Sequence, residues 1–430
     1  MKRQAILLLF AALLLAGSAT AQSTKEQTLR DIRRTGALYY IYDDTPRAAP
    51  TPAPDGFEPF YISHYGRHGS RWHASKTVYR HPRKVLQEAH DAGNLTPLGE
   101  DLYARVVRIA DDAEGRFGDL SPRGVREHRG IAERMYYSFP EVFSTADGRV
   151  CNIRARSTTV PRCILSMAAA NERLKELNPA LRITRESSDR YKGYMAHYPA
   201  STANAKEIRA HVNDLRKKYE HPDRLIRSLF KKKPRFADEM EAISFMTELY
   251  SMASIMQGID GMEDCSLYDI FTQEELYTLY ALRSYLMYLE VGPSAQYGDE
   301  ALGDAVPLLR NFVEEADEAM AAGTPAASLR YGHDVYVIPL VALMGIENCD
   351  ARESDFEKVD AVWSCWRVSP MATNIQWVFY RRPGSDEVLV KFLFNERESR
   401  IRLESDLAPY YRWDGVKRYF EERIATQTAH

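Results

Sequence analysis

The chain of 430 residues has little net charge, few cysteines and no apolar run of membrane-spanning length. Its formal net charge of −3 gives no electrostatic reason to expect a nucleic-acid partner. Its five cysteines include no Cys-x-x-Cys pair, so the sequence indicates no zinc site. Residues 5–15 are continuously apolar but too few to span a bilayer comfortably, and no later run is long enough. We therefore predict no membrane partner, no metal and no cofactor.

The first 21 residues have the pattern of an export signal. A basic start at residues 2–3 precedes the apolar run, and residues 19–21 read Ala-Thr-Ala, a small-residue cleavage site. We expect the mature chain to begin at Gln22 and to lie in the periplasm or outside the cell. An oxidising compartment permits disulfides. The candidate local pairs are Cys151 with Cys163 and Cys349 with Cys365.

A second feature is the stretch of residues 60–73, in which a predicted strand runs into a glycine turn. Arg67-His68-Gly69-Ser70-Arg71 follows at once, so two guanidinium groups flank one imidazole. Arginine presents a planar fork of donors that matches phosphate, and an imidazole between two such groups can attack phosphorus. Gly69 allows the backbone to approach an anion closely. Taken alone, the pentapeptide could also be a solvated basic loop with an isolated histidine.

Two further strand-to-helix junctions carry related chemistry. A strand near residue 150 leads into Arg156-Ser157-Thr158-Thr159-Val160-Pro161-Arg162 at the start of a helix, where free N–H groups suit an anion. A strand over residues 327–331 ends at His333-Asp334. Ligands of open α/β sheets bind beyond the carboxyl ends of the strands. We therefore expect the three motif segments to meet at one edge of a sheet.

Strands and helices alternate on both sides of a long helical stretch, and two apolar runs near the end form a hairpin around Pro383-Gly384. This order predicts an α/β fold, a three-layer sandwich with a mostly parallel sheet, interrupted by an all-α insertion that forms a cap. We place the core in residues 22–184 plus 321–430. The helical cap is placed in residues 185–320.

The predicted cap contains a basic segment. Between Lys206 and Arg235 there are eleven Lys or Arg residues against four Asp or Glu residues. Such runs are most often solvated helix faces. The alternative is a positively charged wall that binds a substrate with several anionic groups. The candidate substrate-binding residues of that wall are Lys231, Lys232 and Lys233.

Together these motifs resemble the histidine acid phosphatases, branch two of the histidine phosphatase superfamily, which includes phytases and multiple inositol polyphosphate phosphatases. The Arg-His-Gly-x-Arg motif of that family is present at residues 67–71, with His73 where the family has proline. Residues 120–124 are similar to its Leu-Thr-x-x-Gly turn. Residues 156–162 and 332–334 match its Arg-Ser-Thr-x-x-x-Arg and His-Asp motifs. The resemblance covers about residues 57–430.

The resemblance implies a catalytic role for each motif residue. His68 would attack a phosphomonoester and become a phosphohistidine, and Asp334 would protonate the leaving alcohol and then assist water. The substrate would be a small-molecule phosphomonoester, with no metal required. The residues expected to hold the phosphoryl oxygens are Arg67, Arg71, Arg162 and His333, with Arg156 as a supporting candidate.

Residues around the motifs are most similar to bacterial multiple inositol polyphosphate phosphatases. That subfamily commonly has His-Ala-Glu where this chain has His333-Asp334, so a broad acid phosphatase for sugar or nucleotide monophosphates is an alternative. The other hypotheses are a branch-one enzyme similar to phosphoglycerate mutase and a polyanion-binding protein without turnover. The leader and the long insertion argue against the branch-one enzyme. The histidines His64, His68 and His73 could in principle bind a metal, but no loop carboxylate or cysteine accompanies them.

Overall fold

The computed structural model of the protein describes residues 24–45, 47–195 and 204–428, so the predicted export signal lies outside the described residues. The strands are β1 Glu58–Arg67, β2 Asn152–Ser157, β3 Arg182–Ser187, β4 Ala327–Gly332, β5 Asn374–Arg381, β6 Val388–Phe394, β7 Arg397–Ser399 and β8 Tyr410–Arg412. The α-helices are α1 Thr24–Arg30, α2 Thr77–Asp91, α3 Pro97–Ala113, α4 Pro122–Ser138, α5 Pro161–Leu177, α6 Lys192–Met195, α7 Ala205–Tyr219, α8 Asp223–Leu229, α9 Glu239–Met256, α10 Gln273–Val291, α11 Gly298–Ala322, α12 Asp334–Leu343, α13 Phe356–Val362, α14 Cys365–Val368 and α15 Trp413–Thr428. Short 3-10 segments cover Ile32–Tyr39, Ala146–Gly148, Asp189–Tyr191, Glu263–Cys265 and Tyr268–Ile270.

The strands form one mixed sheet in the order β3-β2-β4-β1-β5-β6-β7, with β8 paired to β6. Strands β1 to β4 are parallel to one another, and β5 begins an antiparallel half that includes the predicted C-terminal hairpin. In the parallel half, Arg67 lies opposite Gly332 and Ser157 lies opposite Tyr331. The three strands that carry the motifs therefore end at the same edge of the sheet, as the sequence predicts.

Alternating side chains on the central strands produce the three layers. Tyr61 and Trp377 point into a core formed with α11, α12 and α15, whereas Ile62 and Val378 point into a second core formed with α4 and α5. Helices therefore cover both faces of the sheet. This is why the central strands carry apolar side chains on both sides. The three-layer α/β prediction is confirmed.

A third apolar core belongs to the helical cap. It joins α2 and α3 to α8, α9 and α10 through buried side chains such as Val78, Leu102, Leu225 and Phe245. The predicted limits of the cap, residues 185–320, stay a prediction, and the packing crosses them in two places. Helices α2 and α3 pack with the cap although they precede β2, and α11 packs on the sandwich. An amphipathic stripe shows that a helix buries one face, but it does not identify the partner.

All five cysteines lie within the described residues, and each is a free, buried thiol. The two candidate disulfide pairs are therefore absent from this structure. Burial raises the pKa of Cys163 and of Cys365 to about 12, so both stay protonated. Within the described ranges, no helix is long and apolar enough to cross a membrane.

Two buried histidines should make the free energy of unfolding depend on pH. His64 on β1 and His128 on α4 both pack against Tyr331, and burial lowers the pKa of each to about 3. In the unfolded chain a histidine takes up its proton near pH 6.5. The folded protein should therefore lose stability as the pH falls from about 6.5 towards 3, by up to about 1.4 kcal/mol per pH unit for each histidine.

The variant His128→Gln tests this expectation because glutamine does not titrate. Urea unfolding at several pH values between 7 and 4 should give a shallower loss of unfolding free energy for His128→Gln than for the wild type. His221→Gln is the matched control because His221 is exposed, and its pH dependence should equal that of the wild type. The expectation is wrong if His128→Gln and the wild type lose stability equally on acidification.

Candidate active site

Four motif residues meet at the carboxyl edge of the parallel strands. Arg67 ends β1, His68 follows it, His333 follows β4 and Asp334 begins α12. The rings of His68 and His333 are 5.6 Å apart between centroids. A guanidinium nitrogen of Arg67 lies 2.9 Å from a carboxylate oxygen of Asp334. The predicted nucleophile, proton donor and two phosphate ligands are thus brought into one cluster.

The turn after His68 is held against the start of helix α4. Ser121 caps that helix by accepting a hydrogen bond from Gly124 N–H, as its Ser-Pro sequence predicts. A Cβ atom on Gly69 would lie 2.6 Å from the Cα of Gly124, so no side chain fits there. The need for glycine at position 69 therefore comes first from this helix contact. The motif alone indicates only that Gly69 lets the backbone approach an anion closely.

Two residues that the sequence reasoning missed fix this turn. Glu127 on α4 accepts hydrogen bonds from the Ser70 backbone N–H and hydroxyl, each at 2.7 Å. Ser166 on α5 accepts from Gly69 N–H at 3.2 Å. Burial raises the pKa of Glu127, opposed by its bonds from Ser70. No local pattern indicated either contact, because both join residues far apart in sequence.

His68 is prepared to act as a nucleophile. Its Nδ1 lies 2.9 Å from the Gly69 carbonyl oxygen, which can only accept, so Nδ1 carries the proton and Nε2 keeps its lone pair. Burial, followed by the charges of Arg71, Arg162 and Arg67, holds the pKa of His68 well below its usual range. The imidazole is therefore neutral at neutral and mildly acidic pH.

Three guanidinium groups surround this imidazole with little negative charge to balance them. Arg67 is fixed by the carbonyl oxygens of Leu38 and Ser369 at 2.7 and 2.8 Å. Arg71 donates to the Trp72 carbonyl at 2.9 Å, and neither it nor Arg162 has an ion-pair partner among the described residues. Of the residues that the structure describes, only Asp334 forms an ion pair with any of the three. Such a surplus of fixed positive charge favours a dianionic ligand.

His333 and Asp334 are held by separate contacts. His333 Nε2 lies 3.2 Å from the Thr158 hydroxyl, and its backbone N–H donates to the Tyr65 hydroxyl at 3.0 Å. Asp334 accepts from Val335 N–H at 3.0 Å. Burial raises the pKa of Asp334, but the charges of Arg67 and His333 outweigh it and leave the pKa below its usual value. Asp334 is therefore a carboxylate in the unliganded protein.

The structure does not bring Arg156 to this cluster. Its guanidinium is bonded to Glu315, lies 3.4 Å from Glu186 and donates to the Tyr194 hydroxyl at 3.1 Å. Glu315 also pairs with the buried Arg330 at 2.8 Å. Arg156 thus belongs to an ion-pair network beside the neighbouring strands β2 and β4. It supports the site only through those strands and does not contact the His68 cluster.

The three candidate lysines also lie away from the cluster. Lys231 donates to the Gly93 carbonyl at 2.9 Å, and Lys233 pairs with Asp223 at 3.2 Å. Gly93 follows the end of α2, whereas the start of α2 lies beside His73. The 15 residues of this helix span roughly 22 Å. The lysines therefore sit at the far end of α2, on an exposed surface.

The histidines weighed as a metal site point in three directions. His64 packs with Tyr331, His68 faces His333, and His73 packs with Tyr39 at 5.4 Å between ring centroids. Among the described residues, no group of three or more His, Cys, Asp or Glu side chains could hold a metal ion.

The sheet with its helical cap places the protein in the phytase-type α/β fold class, and solved phosphatase structures share it. The Bifidobacterium longum multiple inositol polyphosphate phosphatase, solved with inositol hexasulfate, aligns with a TM-score of 0.73 at 18% identity over 90% of this chain and 97% of that chain. The D. castellii phytase aligns with a TM-score of 0.69 at 15% identity over 92% of this chain and 85% of its own. The Hafnia alvei phytase gives 0.53 at 13% identity over 87% and 99%.

No protein-family model matches the chain, and no curated protein does. The structural likeness confirms the resemblance drawn from the motifs at the level of the fold, over nearly the whole chain.

Proposed function

We propose that the protein is an exported phosphomonoester hydrolase that works through a phosphohistidine and acts on inositol polyphosphates. The observation that carries this proposal is the neutral His68 imidazole, with a free Nε2 lone pair, among three guanidinium groups. The Asp334 carboxylate beside it is bound to one of the three, that of Arg67. A phosphate-binding protein without turnover would need the positive charge. It would not need a buried nucleophile beside a carboxylic acid.

In the first step, His68 Nε2 forms a bond to phosphorus while the bond to the ester oxygen breaks. Arg67, Arg71 and Arg162 neutralise the charge on the phosphoryl oxygens, which is the main requirement of phosphoryl transfer. The leaving oxygen takes a proton from Asp334. Asp334 is ionised in the free protein, so only its protonated form can donate this proton. A bound phosphoryl group that attracts Arg67 weakens the Arg67–Asp334 ion pair and so favours the protonated form.

In the second step, water attacks the phosphorus and the N–P bond breaks. Asp334, now a carboxylate, takes a proton from the water, and His68 regains its lone pair. Inorganic phosphate is released and the acid form of Asp334 is restored. No metal is needed, because arginine supplies the positive charge.

Inositol polyphosphates are the proposed substrates because of the structural neighbours. The B. longum protein is named a multiple inositol polyphosphate phosphatase and the others are phytases. Export is proposed from residues 1–21, whose pattern predicts a cleaved leader.

A phosphate-release panel tests the proposed function. The purified protein should release phosphate from inositol hexakisphosphate, and its kcat/KM should exceed that for a sugar phosphate or a nucleotide by at least about tenfold, because extra phosphates add charge-assisted contacts. Activity should survive a strong chelator. Equal kcat/KM values for all substrates would indicate the broad acid phosphatase instead, and no release from any of them would refute the enzyme.

A further inference from the structure

One arginine of the helical cap lies beside the same tyrosine ring as Arg71. Arg283 on α10 places its guanidinium carbon 5.4 Å from the ring centroid of Tyr39, and Arg71 places its own 5.5 Å from the same ring. The neighbouring Ser284 hydroxyl accepts from the Cys365 backbone N–H at 3.1 Å. This contact ties α10 to the segment whose Ser369 carbonyl holds Arg67.

Arg283 forms no ion pair among the described residues, and the hydrogen bond that it donates there goes to the Ser251 hydroxyl. Its buried Nη1 has no hydrogen-bond acceptor there. The charge of Arg283 also acts on the nearby Glu220 carboxylate, where it opposes the rise in pKa that burial causes. The carboxylate of Glu220 is engaged by Arg216 at 3.1 Å and by Thr247 at 3.2 Å. Because buried donors are almost always satisfied, this unpaired guanidinium atom beside Tyr39 and Arg71 points to a ligand.

The space beside Arg283 is also basic. Arg283 lines a cavity of about 220 Å³ between α7, α9 and α10, together with Arg209 and Arg216. Among the described residues that line the cavity, Glu220 is the only acidic one, and Arg216 already binds it. A group entering there therefore meets net positive charge.

His73, which packs against the same Tyr39 ring, adds a neutral donor. Its Nδ1 accepts from Ser75 N–H at 3.0 Å, so its Nε2 carries the proton. Burial and the charges of Arg71 and Arg283 lower the pKa of His73 to about 3, which keeps the ring uncharged over the working pH range. Proline, which the resembling family has at this position, would offer no donor.

We propose that Arg283, together with His73 and the outer side of Arg71, forms a second anion subsite that receives another phosphate of a polyphosphorylated substrate. This inference rests on the proposed function, in that the His68 cluster takes the phosphate to be cleaved. Arg283 would then determine specificity rather than take part in the chemistry. The lysines at the far end of α2 would contribute nothing.

Binding to a non-hydrolysable probe tests the subsite separately from turnover. Calorimetric titration of inositol hexasulfate and of inorganic phosphate should be compared for the wild type and Arg283→Gln. We expect Arg283→Gln to weaken inositol hexasulfate at least tenfold more than it weakens inorganic phosphate. Arg283→Lys should recover part of the loss, and His73→Phe should show a smaller loss of the same kind.

The matched control is the triple variant Lys231→Ala, Lys232→Ala, Lys233→Ala, which removes three positive charges far from the cluster and should leave both affinities unchanged. Equal weakening of both probes by Arg283→Gln would show that Arg283 only supports Tyr39 and Arg71, and would overturn the subsite. No weakening of either probe, or an effect confined to the lysine variant, would also overturn it. If the wild type hydrolyses no phosphomonoester, the proposed function fails while this comparison still decides whether Arg283 binds anions.

Discussion

The variant His68→Ala is expected to lose at least about a thousandfold in kcat on every phosphomonoester, because it removes the atom that bonds to phosphorus in the proposed mechanism. The loss should not depend on the leaving group, since every substrate passes through the phosphohistidine in that mechanism. His68 is buried, and among the described residues the polar and ring contacts of its side chain are with the Gly69 carbonyl and the His333 ring, so the variant should keep its fold. Circular dichroism and the melting temperature check the fold, and a phosphate-release assay checks kcat.

His221→Ala is the control for this experiment, because it removes an exposed histidine of the cap and should keep full activity. Wild-type enzyme quenched during turnover of a labelled substrate should carry an acid-labile phosphate on His68. A well-folded His68→Ala protein with near-normal activity would contradict the mechanism. So would labelled phosphate found on a different residue.

The sequence could predict the edge at which the site forms because the motifs follow strands. Arg67, His68 and His333 each stand where a β-branched or aromatic run gives way to glycine, and parallel strands bring their carboxyl ends together. The Ser-Pro pattern at residues 121–122 also agrees with the observed start of α4. In these places one short segment contains both the residue and the local pattern, a strand end or a helix start, that fixes its position.

The partners of charged residues could not be predicted in the same way. Arg156 stands in a motif typical of phosphate binding, yet its guanidinium forms an ion pair with Glu315, which is distant in sequence. Lys231 to Lys233 are basic, yet the length of α2 separates them from the cluster. Glu127 bonds to Ser70 of the motif loop and Arg283 lies over the Tyr39 ring, both across long sequence separations that no local pattern indicates. Charge and residue type identify candidates, but only the packing of helices decides which of them face the site.

Acidity acts in opposite directions on activity and stability in this protein. The acid form of Asp334 becomes more abundant as the pH falls, so kcat/KM on alkyl phosphates should rise towards acidic pH. The buried neutral histidines His64 and His128 make the fold less stable over the same range. The optimum of activity should therefore be set by unfolding on its acidic side and by deprotonation of Asp334 on its alkaline side.

The variant Asp334→Asn should separate proton donation from phosphoryl binding. Asparagine keeps the shape of the side chain but has no acidic proton, so an alkyl phosphate should lose about 10²- to 10⁴-fold in kcat. An aryl phosphate with a good leaving group needs little protonation and should lose much less. The alkaline fall of kcat/KM for the alkyl substrate should also flatten, because the group that titrates is gone.

Binding should survive in Asp334→Asn because Arg67 loses its ion pair with Asp334 and becomes fully available to the phosphate. The KM for either substrate should therefore stay the same or fall. Asp406→Asn is the control, since it changes a surface carboxylate paired with Arg412 and should leave both substrates unaffected. Equal losses in kcat for alkyl and aryl phosphates would reject Asp334 as the proton donor. In that case the Arg67–Asp334 pair would serve to position Arg67, and the leaving group would have to take its proton from elsewhere.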